Sequence, residues 1–219
     1  MQMMKTHKNP YKHIVIDDCL QPDLFLKLRA LFTNRLKEND MWEFSDDEMQ
    51  HNTMRSYYYP GGMESIRSDD TLWEEGVMNE LYTVLLDKAF LDSVFEALRV
   101  CPSSFEPISI RSSILNMPAI SSIERHVDFD TDYIQSRKHM EFHLNIILYL
   151  NDTWESAWGG ELLLHDGPSA GEPLRYSPRP NRLVMFISDD ESFHEINQVV
   201  CPSTTTRKSM MAYMTFETR

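Results

Sequence analysis

With 21 basic side chains against 34 acidic ones in 219 residues, a net charge of −13, the chain is long enough to bury a core without covalent help. It would be repelled by nucleic-acid backbones and by anionic membrane surfaces. Its three cysteines, Cys19, Cys101 and Cys201, are odd in number and form no CxxC, which indicates neither a disulfide framework nor a zinc knuckle and points to a reducing, cytoplasmic setting.

At the amino terminus, MQMMKTHKNPYKH lacks the apolar run of a signal peptide, and the longest apolar stretch, LNIILYL, is too short to span a bilayer, so a soluble protein is expected. A short extended piece, HIVID, leads into QPDLFLKLRALFTNRLKEN, where Leu24, Phe25, Leu28, Leu31, Phe32 and Leu36 recur at helical spacing and Pro22 suits the first turn. RSYYYPGG reads as a strand ending in a turn. A second helical region runs from about Asp70 to Leu98, with SDD ahead of it as a cap. From Pro107 onward the period becomes that of strands: ISIRSSIL, EFHLNIILYL, GELLLH, RLVMFIS, HEINQVV and RKSMMAYMTFE. Six or more short strands in roughly 110 residues suggest a closed or double-sheet β architecture such as a jelly roll, with the helices packed outside it. With no repeat, no low-complexity linker and only 7 glycines, one domain over residues 1–219 is expected, about 11–106 as helical support and about 107–219 as β core.

SIERHVDFD places His126 and Asp128 two apart, on one face if the segment is extended. A third ligand from another strand is offered by His194, at the start of the late strand HEINQVV. Two histidines and one carboxylate on one face leave open coordination positions on non-haem Fe(II). Arg207 and Lys208 follow on the last strand and point to opposite faces, one inward and one outward, and a guanidinium inside a barrel would call for a carboxylate partner. Singly, each residue has a plainer reading: a surface histidine, a turn aspartate, an end-of-strand cation. Together and in order they favour a metal site. His139 and His143 in HMEFH have the spacing of helical metal motifs, but on a strand they lie roughly 13 Å apart and cannot share an ion. Trp42, Trp73, Trp154 and Trp158 read as packing, with Trp154 and Trp158 near a loop that approaches the site. Gly159 and Gly160 read as backbone geometry at a tight entry into a strand.

The ordered elements RHVDF, ILYLNDTW, WGGELLL, NRLVMFIS, HEINQV and RKSMMAYMTF, over roughly residues 107–217, resemble the Fe(II)/2-oxoglutarate-dependent dioxygenases, and within them the prolyl-4-hydroxylase-like group. The resemblance implies a mainly β fold with α, a double-stranded β-helix (jelly roll) core supported by N-terminal helices. It implies His126, Asp128 and His194 as iron ligands and Arg207 as partner of the distal carboxylate of 2-oxoglutarate. Tyr149, which by itself reads as core packing, would donate its hydroxyl to that same carboxylate. No catalytic residue beyond the metal ligands is implied. The cofactors would be Fe(II), 2-oxoglutarate as cosubstrate and O2, with ascorbate an open addition. Relatives with prolyl hydroxylase activity often carry a tyrosine about ten residues before the first ligand, where this chain has Asn116 in SILNMPAISS. That departure bears on the prolyl substrate and leaves the iron chemistry untouched. The expected activity is hydroxylation of a prolyl residue in a peptide or protein, or of a small molecule such as an amino acid or sugar derivative, approached over the loops around 42–62 and 151–158. The competing readings are a catalytically silent β-barrel binding module, against which the intact ligand set speaks, and a zinc hydrolase, which has no use for Arg207. Substrate and oligomeric state are not encoded in any feature of the chain.

Overall fold

Apolar periodicity sorts the chain into a helical first half and a β-rich second half, and the computed structural model, which describes residues 4–35, 43–45, 54–58, 75–128, 131–137, 140–169 and 171–219, follows that division. In chain order the elements are β1 (Lys5–His7), β2 (His13–Ile16), α1 (Pro22–Arg35), β3 (Glu43–Ser45), β4 (Met54–Tyr58), α2 (Glu75–Leu85), α3 (Lys88–Leu98), β5 (Ser109–Met117) and β6 (Ile123–His126). There follow α4 (Thr131–Arg137), β7 (Glu141–Tyr149), β8 (Leu162–Leu164), β9 (Leu174–Tyr176), β10 (Leu183–Ser188), β11 (His194–Ile196) and β12 (Arg207–Glu217).

Two antiparallel sheets result. The larger runs β1-β2-β10-β7-β12-β5-β4-β3 and the smaller β6-β11-β8-β9, the double-sheet jelly roll expected from the strand count. β7, near the middle of the large sheet, is buried at every position because both its faces are covered. Its Phe142, Leu144, Ile146 and Leu148 join Leu24 and Leu28 of α1, Leu81 of α2 and Leu91 of α3 in one apolar cluster. Its Ile147 and Tyr149 point the other way, to Leu162, Leu164 and Tyr176 of the small sheet. The helices therefore seal one face of the large sheet, and the space between the sheets is left for chemistry. Each fully buried Leu or Phe in these layers contributes about 1.5–3 kcal/mol, so the helical layer is what keeps the large sheet rigid.

The helical region expected over 70–98 divides in two. Asp87 caps α3 by accepting from the backbone N–H of Phe90 at 2.9 Å, an interaction worth about 1 kcal/mol. Arg99 ends α3 in the left-handed region at φ 59°. Leu36, the SDD cap, Trp42, Trp73, His139 and the turn after Tyr58 lie outside the described residues. The strands β1, β3 and β9 and the helix α4 go beyond the elements expected, since three to seven residues show no readable period. Among the described residues no helix is long and apolar enough to cross a membrane, and Cys19, Cys101 and Cys201 are free thiols.

Candidate active site

His126 ends β6 and His194 opens β11, and these antiparallel neighbours place the two residues directly opposite each other. Asp128 lies just past the end of β6, so it reaches the pair by the turn of the chain after His126 and not by strand alternation alone. The ligand atoms of His126, Asp128 and His194 all lie within 4.8 Å of one another. Asp128 Oδ1 is 3.3 Å from His194 Nε2 and 3.8 Å from His126 Nε2, and the two imidazoles are 4.4 Å apart. Each histidine has its Nδ1 on a backbone carbonyl: His126 on Glu124 at 2.7 Å and His194 on Ser192 at 2.9 Å. A carbonyl only accepts, so both Nδ1 carry the proton, and each ring in its neutral form turns an Nε2 lone pair toward the cluster.

Asp128 is held from the large sheet. Ser188 Oγ donates to Oδ2 at 2.5 Å and Asn145 Nδ2 donates to the same oxygen at 2.8 Å, while the Tyr213 hydroxyl donates to Oδ1 at 3.0 Å. The donors come from the adjacent strands β10, β7 and β12. Burial pushes the Asp128 carboxyl up, but the His194 charge and the hydrogen bonds from His194, Ser188 and Asn145 override it and hold the group well below the usual carboxylate range. Burial likewise lowers His126, assisted by His194, whereas at His194 the Asp128 carboxylate overrides burial and raises the imidazole. Among the described residues Asn145 Oδ1 has no partner. A buried acceptor left so costs about 1–3 kcal/mol, which the fold tolerates for the sake of the donor on the other side of the amide. Sequence reading did not pick out these three donors. Their one signal was a polar residue within each of the apolar strands NIILY and VMFIS and a tyrosine in AYMTF.

Arg207, at the start of β12, is wholly buried. Its Nε donates to the Gly160 carbonyl at 2.7 Å, Nη1 to Ser209 Oγ at 3.2 Å and Nη2 to the Tyr149 hydroxyl at 3.4 Å. Among the described residues no carboxylate pairs with it. Burial lowers its pKa, opposed by Tyr149, yet a guanidinium stays charged in proteins. Burial raises the Tyr149 phenol more than Arg207 lowers it, so the hydroxyl keeps its proton and can donate. Strand register orders the interior: Tyr149 faces Ser209, Asn145 faces Tyr213 and His143 faces Thr215. An anion-seeking floor at Arg207 thus lies below the ligand cluster, and a polar row lies above it. His143 belongs to that row, bonded to Thr215 Oγ1 at 2.9 Å and 3.6 Å from Glu141, and takes no part in the ligand cluster.

One expectation needs correction. Asn116 alternates with Leu115 and Met117, and it is the latter two that pack in the interior with Ile196 and Val199. Met117 Sδ is 3.7 Å from Arg207 Nη1, while Asn116 sits opposite Lys208 on the other face. The β5 residues beside the Arg207 pocket are therefore Leu115 and Met117, and Asn116 says nothing about the substrate. In the loop 151–158, Trp154 donates to the Gly159 carbonyl at 2.9 Å and meets Trp158 edge-on. Gly160, at φ 65°, does more than shape the strand entry, since its carbonyl anchors Arg207 and a Cβ there would lie 3.0 Å from Arg207 Cδ.

The two sheets of the jelly roll thus bring together His126, Asp128 and His194, a cluster that could hold a metal ion, and the buried Arg207. Residues 113–215 match the family model described as the 2OG-Fe(II) oxygenase superfamily. A comparison with curated proteins by sequence finds no match. Among solved structures, a prolyl-4-hydroxylase from Pseudomonas putida is similar with a TM-score of 0.62 at 18% identity, over 94% of this chain and 92% of its own. A prolyl hydroxylase from Trichoplax adhaerens, in complex with a hypoxia inducible factor oxygen degradation domain peptide fragment, reaches a TM-score of 0.64 at 16% identity over 94% and 83%. The viral collagen prolyl hydroxylase from Paramecium Bursaria Chlorella virus-1, as its 2OG complex, reaches 0.58 at 13% identity over 93% and 94%. At these identities the likeness is one of fold.

Proposed function

We propose that the protein is an Fe(II)- and 2-oxoglutarate-dependent dioxygenase, with His126, Asp128 and His194 as the iron ligands and with Arg207 and Tyr149 receiving the distal carboxylate of 2-oxoglutarate. The observation that carries this reading is the wholly buried Arg207, without a carboxylate among the described residues, under a cluster of two imidazoles and one carboxylate. The donor set suits Fe(II) with positions to spare, and a buried cation of this kind is costly until an anion meets it. A hydrolytic use of the same ligands would leave Arg207 without purpose.

The chemistry supplied at such a centre is activation of O2, with 2-oxoglutarate converted to succinate and CO2 and a hydroxyl delivered to the substrate. The chain's own residues do the rest. Nη1 and Nη2 of Arg207 present a fork to a carboxylate, with the Tyr149 hydroxyl beside it. Leu115, Met117, Ile147 and Leu164 wall the space between the sheets and exclude water. The Glu124 and Ser192 carbonyls hold the histidine rings in one tautomer.

For the substrate we propose a prolyl residue in a peptide or protein, or else a small molecule such as an amino acid or sugar derivative, met by the polar row of His143, Glu141 and Thr215. The fold shared with a peptide-bound prolyl hydroxylase supports the first. The whole chain would act as one domain, in the reducing cytoplasm that three free thiols suit, with ascorbate as a further reductant in the assay. The test is succinate release from 2-oxoglutarate by the iron-loaded protein, alone and with proline-containing peptides, free amino acids and sugar derivatives. Succinate above the iron-free control, increased by one of these classes, is expected; none under any condition, with no iron bound, would overturn the reading.

A further inference from the structure

The three donors on Asp128 do not share its oxygens evenly. Oδ2 carries both Ser188 and Asn145, at 2.5 and 2.8 Å, and Oδ1 carries Tyr213 at 3.0 Å and faces His194 Nε2 at 3.3 Å, where a cation would take the place of the His194 proton. A carboxylate oxygen has two acceptor sites. Oδ2 is therefore saturated, while Oδ1 keeps one site open on the side where the two Nε2 atoms converge.

The number of bonds that Asp128 makes matters to the cavity as a whole. Three protein ligands, a chelating 2-oxo acid and one diatomic molecule would take up the six positions that Fe(II) offers. Were Asp128 to bind through both oxygens, the last position would be closed. We infer, on the basis of the iron and 2-oxoglutarate reading above, that Ser188, Asn145 and Tyr213 are positioning residues that hold Asp128 to a single metal bond and so keep the O2 position open. Asn145 agrees with this, because its Oδ1 has no partner among the described residues and its amide hydrogen-bonds Asp128. So does the placement of the donors on three adjacent strands, which fixes them with the precision of a sheet.

The experiment uses the intact protein under anaerobic conditions, loaded with Fe(II) and then 2-oxoglutarate, whose chelation gives a visible charge-transfer band. Nitric oxide is added as a stand-in for O2 and its binding is followed by the electron paramagnetic resonance of the ferrous adduct. In Asn145→Leu/Ser188→Ala, Oδ2 is free to turn onto the metal. Nitric oxide affinity should fall about tenfold or more, the scale of losing hydrogen bonds to a charged group, while the 2-oxoglutarate band is retained. Ser188→Ala alone, a smaller change to the fold, should move in the same direction, and Ser188→Thr, which returns the hydroxyl, should recover wild-type binding. Nitric oxide affinity equal to wild type in both Ala-containing variants, with the band retained, would overturn the inference and leave the proposed function standing. A wild-type protein that forms no band with Fe(II) and 2-oxoglutarate would overturn both.

Discussion

Replacing Arg207 by methionine tests the proposed cosubstrate pocket most directly. Arg207 is wholly buried, and its Nε is already committed to Gly160, so Nη1 and Nη2, beside Ser209 and Tyr149, are what remains to meet an incoming carboxylate. A charge-assisted hydrogen bond of this kind is worth about 1.5–3 kcal/mol, which is roughly ten- to a hundred-fold in affinity. Methionine fills much of the same volume, and Tyr149 remains as a neutral donor, so 2-oxoglutarate should bind more weakly by that factor without being excluded. Arg207→Lys restores charge but not the fork, and should fall between. The effect on stability has two opposing parts: the Gly160 carbonyl loses its donor, costing about 1–3 kcal/mol, and an uncompensated buried cation is removed, which offsets it. Thermal melting run alongside separates loss of fold from loss of binding. The assay is anaerobic titration of the Fe(II)-loaded protein with 2-oxoglutarate by charge-transfer absorbance, beside a separate metal titration. Metal affinity should stay constant, because the arginine does not touch the ligand cluster. Equal 2-oxoglutarate affinity in wild type and Arg207→Met would refute the pairing and much of the case for a 2-oxoglutarate enzyme.

Other outcomes follow from the same geometry. His194→Ala should lower Fe(II) or Mn(II) affinity roughly a hundred-fold or more, since even outer partners of metal ligands are worth ten- to a hundred-fold; unchanged metal affinity by titration would remove the third ligand. Gly160→Ala forces a side chain into a φ of 65° and to 3.0 Å from Arg207 Cδ, so about 1–2 kcal/mol of stability and several-fold in 2-oxoglutarate affinity should be lost, with metal affinity kept. His13 is buried with its pKa lowered to about 4, by burial first and His7 after it, against the raising effect of the Tyr11 carbonyl. The unfolded chain therefore takes up a proton between pH 6.5 and 4 that the folded one refuses. Stability should be complete above pH 6.5 and fall by about 2–3 kcal/mol as pH drops to 4. Urea midpoints against pH should show this slope flattened in His13→Gln, and an identical slope in that variant would count against it.

How far the sequence discloses such a site depends on what each residue's placement requires. Periodicity is local, so the β half, α1 and the apolar face of α3 are legible from spacing alone, and His126 and Asp128 stand two apart whatever the fold. Parity is not local. Nothing within SILNM says which alternate set points inward, so Asn116 stood where relatives carry a tyrosine; the pairing of Arg207 with Met117 shows that Leu115 and Met117 face the interior. Ser188 and Gly160 were likewise out of reach, since their relation to Asp128 and Arg207 exists only once strands distant in sequence are in register. Yet once Arg207 is taken to face inward, alternation carries Ser209, Met211, Tyr213 and Thr215 of the same strand inward with it. Taking Tyr149 as inward does the same for Ile147, Asn145 and His143. Two of the three donors on Asp128, and the polar row above the ligand cluster, were thus implied by the two residues first assigned to the cosubstrate. A single inward-facing charge sets the parity of its whole strand, and the polar residues that share that parity are the ones to suspect of serving the site.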